Sequence, residues 1–157
     1  RVGQADEALQ VLRELSTLGI GVSAALISSA TKLCTSKQLF AECLAIYELV
    51  QGPGLNICDR SVWSCLLFCA VETKSFHRCI SFFERLKACG APTPKDYGNM
   101  IRCASMLGDW KLSLTLVQEM RDARLGVDSV VYNTALATCV AAQQADQART
   151  LLQGMEE

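Results

Sequence analysis

The sequence predicts an all-α protein, a right-handed α-solenoid of stacked antiparallel helix pairs. Three observations lead there. Four stretches, beginning at Ala24, Arg60, Pro94 and Ser129, lie 36, 34 and 35 residues apart and can be laid on one another without long gaps. A fixed period of this size signals a stack of similar supersecondary units. Every stretch carries the same two apolar patterns at helical spacing, and no segment sustains the period-two alternation of a half-buried strand. A stacked array presents an extended surface rather than a pocket, so its expected work is binding.

The elements follow in order. Residues 1–23 open on Ala8, Leu9, Val11, Leu12 and Leu15, the pattern of a second helix, and are expected to be the tail of a partial repeat. Residues 24–59 form a full repeat, with Ile27, Ala30, Thr31 and Cys34 on one face of the first helix and Cys43, Leu44, Ile46, Tyr47 and Val50 on the second. Residues 60–93 repeat it with Trp63, Leu66, Leu67 and Ala70, then Cys79, Ile80, Phe82, Phe83 and Leu86. Residues 94–128 carry Tyr97, Met100, Ile101 and Ala104, then Ser113, Leu114, Leu116, Val117 and Met120. Residues 129–157 carry Tyr132, Ala135, Leu136 and Cys139, then Ala148, Arg149, Leu151, Leu152 and Met155, and lack a closing loop. The whole is expected to be one array and a piece of a longer protein.

The breaks agree with this division. Short polar stretches such as Thr73-Lys74-Ser75 and Gly108-Asp109 separate the helices of a pair, and longer breaks such as Gly52-Pro53-Gly54 and Gly90-Ala91-Pro92-Thr93 separate the repeats. Glycine and proline at those places are stop signals. Helices of about 12–15 residues are marginal alone and need packing to persist. Small residues recur where paired helices should cross, which lets the backbones approach.

Composition narrows the function. Lys+Arg 15 against Asp+Glu 16 gives a net charge of −1, so any basic stripe must come from uneven distribution. No apolar run reaches the ~20 residues needed to span a membrane. The nine cysteines (Cys34, Cys43, Cys58, Cys65, Cys69, Cys79, Cys89, Cys103 and Cys139) include no Cys-x-x-Cys pair, and several fall at equivalent small slots. They read as buried packing residues in a reducing compartment rather than as metal ligands or disulfides. The only histidine, His77, sits where a second helix begins and reads as a rim side chain. With no phosphate loop and no acidic metal cluster, no catalytic residue, metal or cofactor is expected, and the chain reads as non-enzymatic.

The repeats resemble pentatricopeptide repeats. The clearest stretch is Asp128-Ser129-Val130-Val131-Tyr132-Asn133-Thr134-Ala135-Leu136, followed by Ala148-Arg149-Thr150-Leu151-Leu152-Gln153-Gly154-Met155. The third repeat resembles the family through Tyr97, Gly108, Leu116, Glu119-Met120 and Asp128; the second has Trp63 in the tyrosine slot, and the first has Ile27. Tetratricopeptide repeats are the nearest rival, but their Trp-x-x-Leu-Gly opening is missing.

The resemblance implies single-stranded RNA binding at one base per repeat, serving processing, stability, editing or translation of an organellar transcript in a mitochondrion or chloroplast. It implies base reading by the residue after the tyrosine slot together with the last residue of the repeat: Ser28 with Asp59, Ser64 with Thr93, Gly98 with Asp128, and Asn133. It implies base sandwiching by Ala25, Ser61, Lys95 and Val130. On the same footing the Ser28–Asp59 pair suggests a purine, with G the expected one, Asn133 a pyrimidine, and Gly98, having no side chain, a step that discriminates poorly. The lysine that many family members hold late in the first helix is replaced by Ser36, Glu72, Met106 and Ala141. Two other readings stay open: a scaffold for protein partners without RNA contact, and the recognition arm of an RNA-processing enzyme.

Overall fold

The computed structural model describes residues 7, 10, 11, 13, 14, 22–50 and 57–155. Of the helix expected before Ala24, Val11 is described, helical and exposed, while Ala8, Leu9, Leu12 and Leu15 lie outside the described residues, as does the Gly52-Pro53-Gly54 break. Beyond the helical residues around Val11, the described residues hold eight further α-helices and no strand. They are α1 (Ala24–Ser36), α2 (Phe40–Val50), α3 (Arg60–Glu72), α4 (Phe76–Cys89), α5 (Pro94–Leu107), α6 (Trp110–Asp122), α7 (Ser129–Ala141) and α8 (Ala145–Gln153). They fall into two compact units, Arg1–Gly90 and Ala91–Glu157, divided within the break before the third repeat.

Local chemistry sets the ends of these helices identically from repeat to repeat. Each first helix starts on a capping side chain: Ser23 accepts from the Leu26 amide, Asp59 from Ser61, Thr93 from Asp96 and Asp128 from Val131. These caps satisfy amides that the first turn leaves without intrahelical partners. Each first helix also ends the same way. Gln38, Lys74, Gly108 and Gln143 adopt positive φ at equivalent positions, and the next amide reaches back to the carbonyl of Cys34, Ala70, Ala104 or Cys139. That is a Schellman motif, and Gly108 is the one residue of the four without a Cβ penalty there.

In the first unit α1 pairs with α2 and α3 with α4, and α1 and α2 both pack on α3. Ile27, Ile46, Leu66, Leu67 and Leu86 are fully buried. Tyr47, Trp63 and Phe82 form an aromatic cluster with centroids 5.1–6.0 Å apart. The second unit repeats the plan with α5–α6 and α7–α8, α5 and α6 packing on α7 around Met100, Ile101 and Met120. The first-helix pattern is buried at every position but Leu136, which is half-buried. The second-helix pattern needs one correction. Its second position is buried only at Leu44; Leu114 is half-buried and Ile80 and Arg149 are exposed, and later in the pattern Val50 is half-buried and Leu152 and Met155 are exposed. The second position lies about 100° around the helix from the first, at the edge of the apolar stripe.

The described cysteines are free thiols, six of them buried, Cys58 exposed, and none in a group of three or more possible metal ligands. No described helix is long and apolar enough to cross a membrane.

Candidate functional site

The tyrosine slot fixes each first helix and so aims the residue after it. Trp63 donates its indole N–H to the Ile57 carbonyl at 3.0 Å, inside the aromatic cluster. Tyr97 donates to Glu119 at 3.3 Å, and burial followed by that carboxylate raises the phenol above its ordinary range. Tyr132 accepts from the Arg121 guanidinium at 2.7 Å and donates to the Gly154 carbonyl at 3.2 Å. With the slot residue turned inward, the next residue lies toward the helix surface: Ser28, Ser64 and Gly98 are half-buried and Asn133 is exposed.

The last residue of each repeat is placed by a different cause. Asp59, Thr93 and Asp128 are the N-caps of α3, α5 and α7, so helix initiation holds their side chains at fixed points. Thr93 completes a capping box, its amide donating to Asp96 at 2.8 Å and its hydroxyl at 2.7 Å, with Asp96 fully buried. Ser64 belongs to the first unit and Thr93 to the second.

Within the first unit the structure brings Ser28 and Asp59 together. The Ser28 hydroxyl donates to Asp59 Oδ2 at 2.7 Å, while Asp59 Oδ1 accepts from the Ser61 amide at 2.9 Å and the Ser61 hydroxyl at 2.6 Å. Lys32 Nζ approaches Oδ2 at 3.5 Å. Donation by the Ser61 hydroxyl, then by Ser28, holds the Asp59 carboxyl down at about 2; its partial burial opposes them, and the Ser61 amide and Lys32 add smaller pulls. Ser61 is therefore bound to the Asp59 carboxylate, whereas Ala25 is exposed.

The second unit leaves the equivalent place open. Gly98 and Asp128 line a cavity of about 340 Å³ together with Lys95, Arg102, Val130 and Thr134. Asp128 Oδ1 caps Val131 at 2.8 Å. Lys95 is exposed and Val130 is 69% exposed, the latter an apolar side chain in the cavity lining. Sequence reasoning missed two cations. Lys32 stands four residues after Ser28 and Arg102 four after Gly98, hence each on the same helix face, one turn on. The i+4 spacing was the signal that finds them; Phe68 and Ala137 hold that register in the other repeats.

Residues 96–125 match the family model described as PPR repeat. Comparison with curated protein sequences finds no match. Among solved structures, the chain is similar to the pentatricopeptide repeat protein PPR10 in complex with an 18-nt psaJ RNA element, with a TM-score of 0.82 and 21% identity over 99% of this chain. A C256S/C430S/C449S form of that protein, in complex with the same RNA element, gives the same values. PPR10 from maize gives a TM-score of 0.50 at 15% identity over 87% of this chain. The chain spans 23% of the length of the first of these.

Proposed function

We propose that this chain, a pentatricopeptide-repeat protein by the match of its third repeat and by its fold, binds single-stranded RNA and reads one base per repeat. The observation that carries the reading is the Ser28–Asp59 contact at 2.7 Å, which joins a first helix to the cap of the next at the pair of positions that the family resemblance implies. Its chemistry selects donors. The Ser28 hydrogen is committed to Asp59, so the pair offers lone pairs outward. The Watson–Crick edge of guanine supplies two neighbouring N–H donors, which supports a purine at this step. Asn133 has both a carbonyl and an amide and supports a pyrimidine. That PPR10 is in complex with an 18-nt RNA element supports RNA as the class of ligand. An organellar transcript is the expected target from the family resemblance.

The test is binding of the chain to a pool of short single-stranded oligoribonucleotides across a salt series. RNA binding requires log K to fall linearly with log salt, by about 0.7 per phosphate neutralised. Asn133→Asp should also shift base preference at one nucleotide. Association with no RNA at any salt rejects the proposal. A few repeats should bind weakly, since stacking supplies roughly 1–3 kcal/mol per base.

A further inference from the structure

We infer that the third repeat reads guanine through Arg102, with Gly98 serving as the vacancy that admits the base. The inference rests on the RNA-binding reading above and reverses the sequence expectation of a step that discriminates poorly.

The glycine itself is the first observation. Gly98 lies inside α5, where glycine is among the least favourable residues for a helix. Its φ is not in the left-handed region, and a Cβ built there would meet only Val131 Cγ2 at 3.9 Å, an ordinary contact. Neither backbone geometry nor crowding calls for glycine at this position. What its absent side chain leaves is space: the cavity of about 340 Å³ that opens beside it.

The lining supplies the second observation. The cavity lining includes Asp128, whose Oδ1 is engaged in capping and whose second oxygen is left to accept. It also includes Arg102, half-buried, with Nη1 at 3.5 Å from Oδ1 of the buried Asn99. Val130 offers an apolar flank on which a base can rest. A carboxylate and a guanidinium around one cavity demand a base that donates on one edge and accepts twice on the next. Guanine does so, with N1–H and N2–H₂ for Asp128 and O6 and N7 for Arg102, the latter the favoured bidentate partner of arginine. Adenine turns an acceptor nitrogen toward the carboxylate, and pyrimidines lack the N7 acceptor.

The experiment measures affinity of the whole chain for oligoribonucleotides varied at the nucleotide beside the one that answers to Asn133. Guanine should exceed adenine there by about tenfold. Replacing it with 7-deazaguanine should remove most of that advantage in the native chain and change nothing further in Arg102→Met. Gly98→Leu, which fills the cavity, should abolish the preference while leaving the melting temperature no lower. Equal affinity for all four bases overturns the inference. So does a uniform loss across bases in Arg102→Met, which would make Arg102 a phosphate contact. Selectivity confined to the Asn133 nucleotide rejects this inference and leaves the RNA reading standing; absence of salt-dependent RNA binding rejects both.

Discussion

The two units solve the same packing problem with different side chains and leave different surfaces. In Arg1–Gly90 the slot that fixes the first helix of the second repeat holds Trp63 within an aromatic cluster, and the carboxylate of Asp59, proposed to read a base, is closed in by Ser28, Ser61 and Lys32. In Ala91–Glu157 the slots hold Tyr97 and Tyr132, tied by polar contacts to Glu119, Arg121 and Gly154, and the corresponding carboxylate, Asp128, borders an open cavity. The difference teaches that the buried register tolerates a change of chemistry as long as shape is kept, while the surface register differs at the positions proposed to meet a base.

Substitution at the slots should break the comparison most sharply. Trp63→Ala removes the centre of the aromatic cluster and leaves a large cavity, so a loss of about 3–5 kcal/mol is expected in urea unfolding. Tyr132→Phe keeps the ring and removes only its hydroxyl, leaving Arg121 and the Gly154 carbonyl to find other partners, and should cost about 1 kcal/mol. Comparable losses for the two would mean that polar and aromatic anchoring carry equal weight.

The carboxylates give a finer test. The Asp59 carboxyl is depressed to about 2, below its unfolded value of about 3.9. The unfolded chain therefore binds more protons between these values, and stability rises with pH across them. The contribution is fully present above about pH 4 and is lost as pH falls toward 2. Melting temperatures of the native chain and of Asp59→Asn should converge over that window. The side chain is 42% exposed, so screening keeps the effect small. A gap that persists at pH 2 would mean that the cap alone, and not the charge, sets the difference.

The smallest effect concerns one hydroxyl. Ser113 Oγ is buried without a hydrogen-bond partner, in the crossing slot that Cys43 and Cys79 fill in the other unit. Ser113→Ala should raise stability by up to about 1 kcal/mol, because an unsatisfied buried hydroxyl is costly. A measured loss instead would show that the hydroxyl has a partner.

Much of this was legible in the sequence, and the division between what was and what was not has a physical basis. Ile27, Leu66, Met100 and Ala135 are buried where the i, i+3, i+4, i+7 pattern places them, since helical periodicity directly encodes the buried face. The second-helix stripe was drawn too wide at Ile80 and Leu152, because residues at the edge of a stripe are buried only if a neighbour reaches them. The proximity of Ser28 and Asp59 came from family resemblance, as no local rule links residues in separate repeats. Arg102 and the cavity beside Gly98 were not legible. A vacancy has no residue to signal it, and its lining is assembled from α5, the residue that caps α7, and α7 itself.

The double placement of Asp59, Thr93 and Asp128, each a helix cap and each at a proposed reading position, would limit how such a chain can be recoded. Asp, Asn, Ser and Thr are the side chains that start a helix well, and replacing one by a non-capping residue costs about 1 kcal/mol. The alphabet available for recognition at these sites is therefore the alphabet of helix initiation. A longer reader such as Gln or Arg would give new contacts to a base while fraying the helix on which the next reading residue stands. Changes of specificity that keep the array intact should stay within those four letters, or move, as the third repeat suggests, to a position one turn further along the helix.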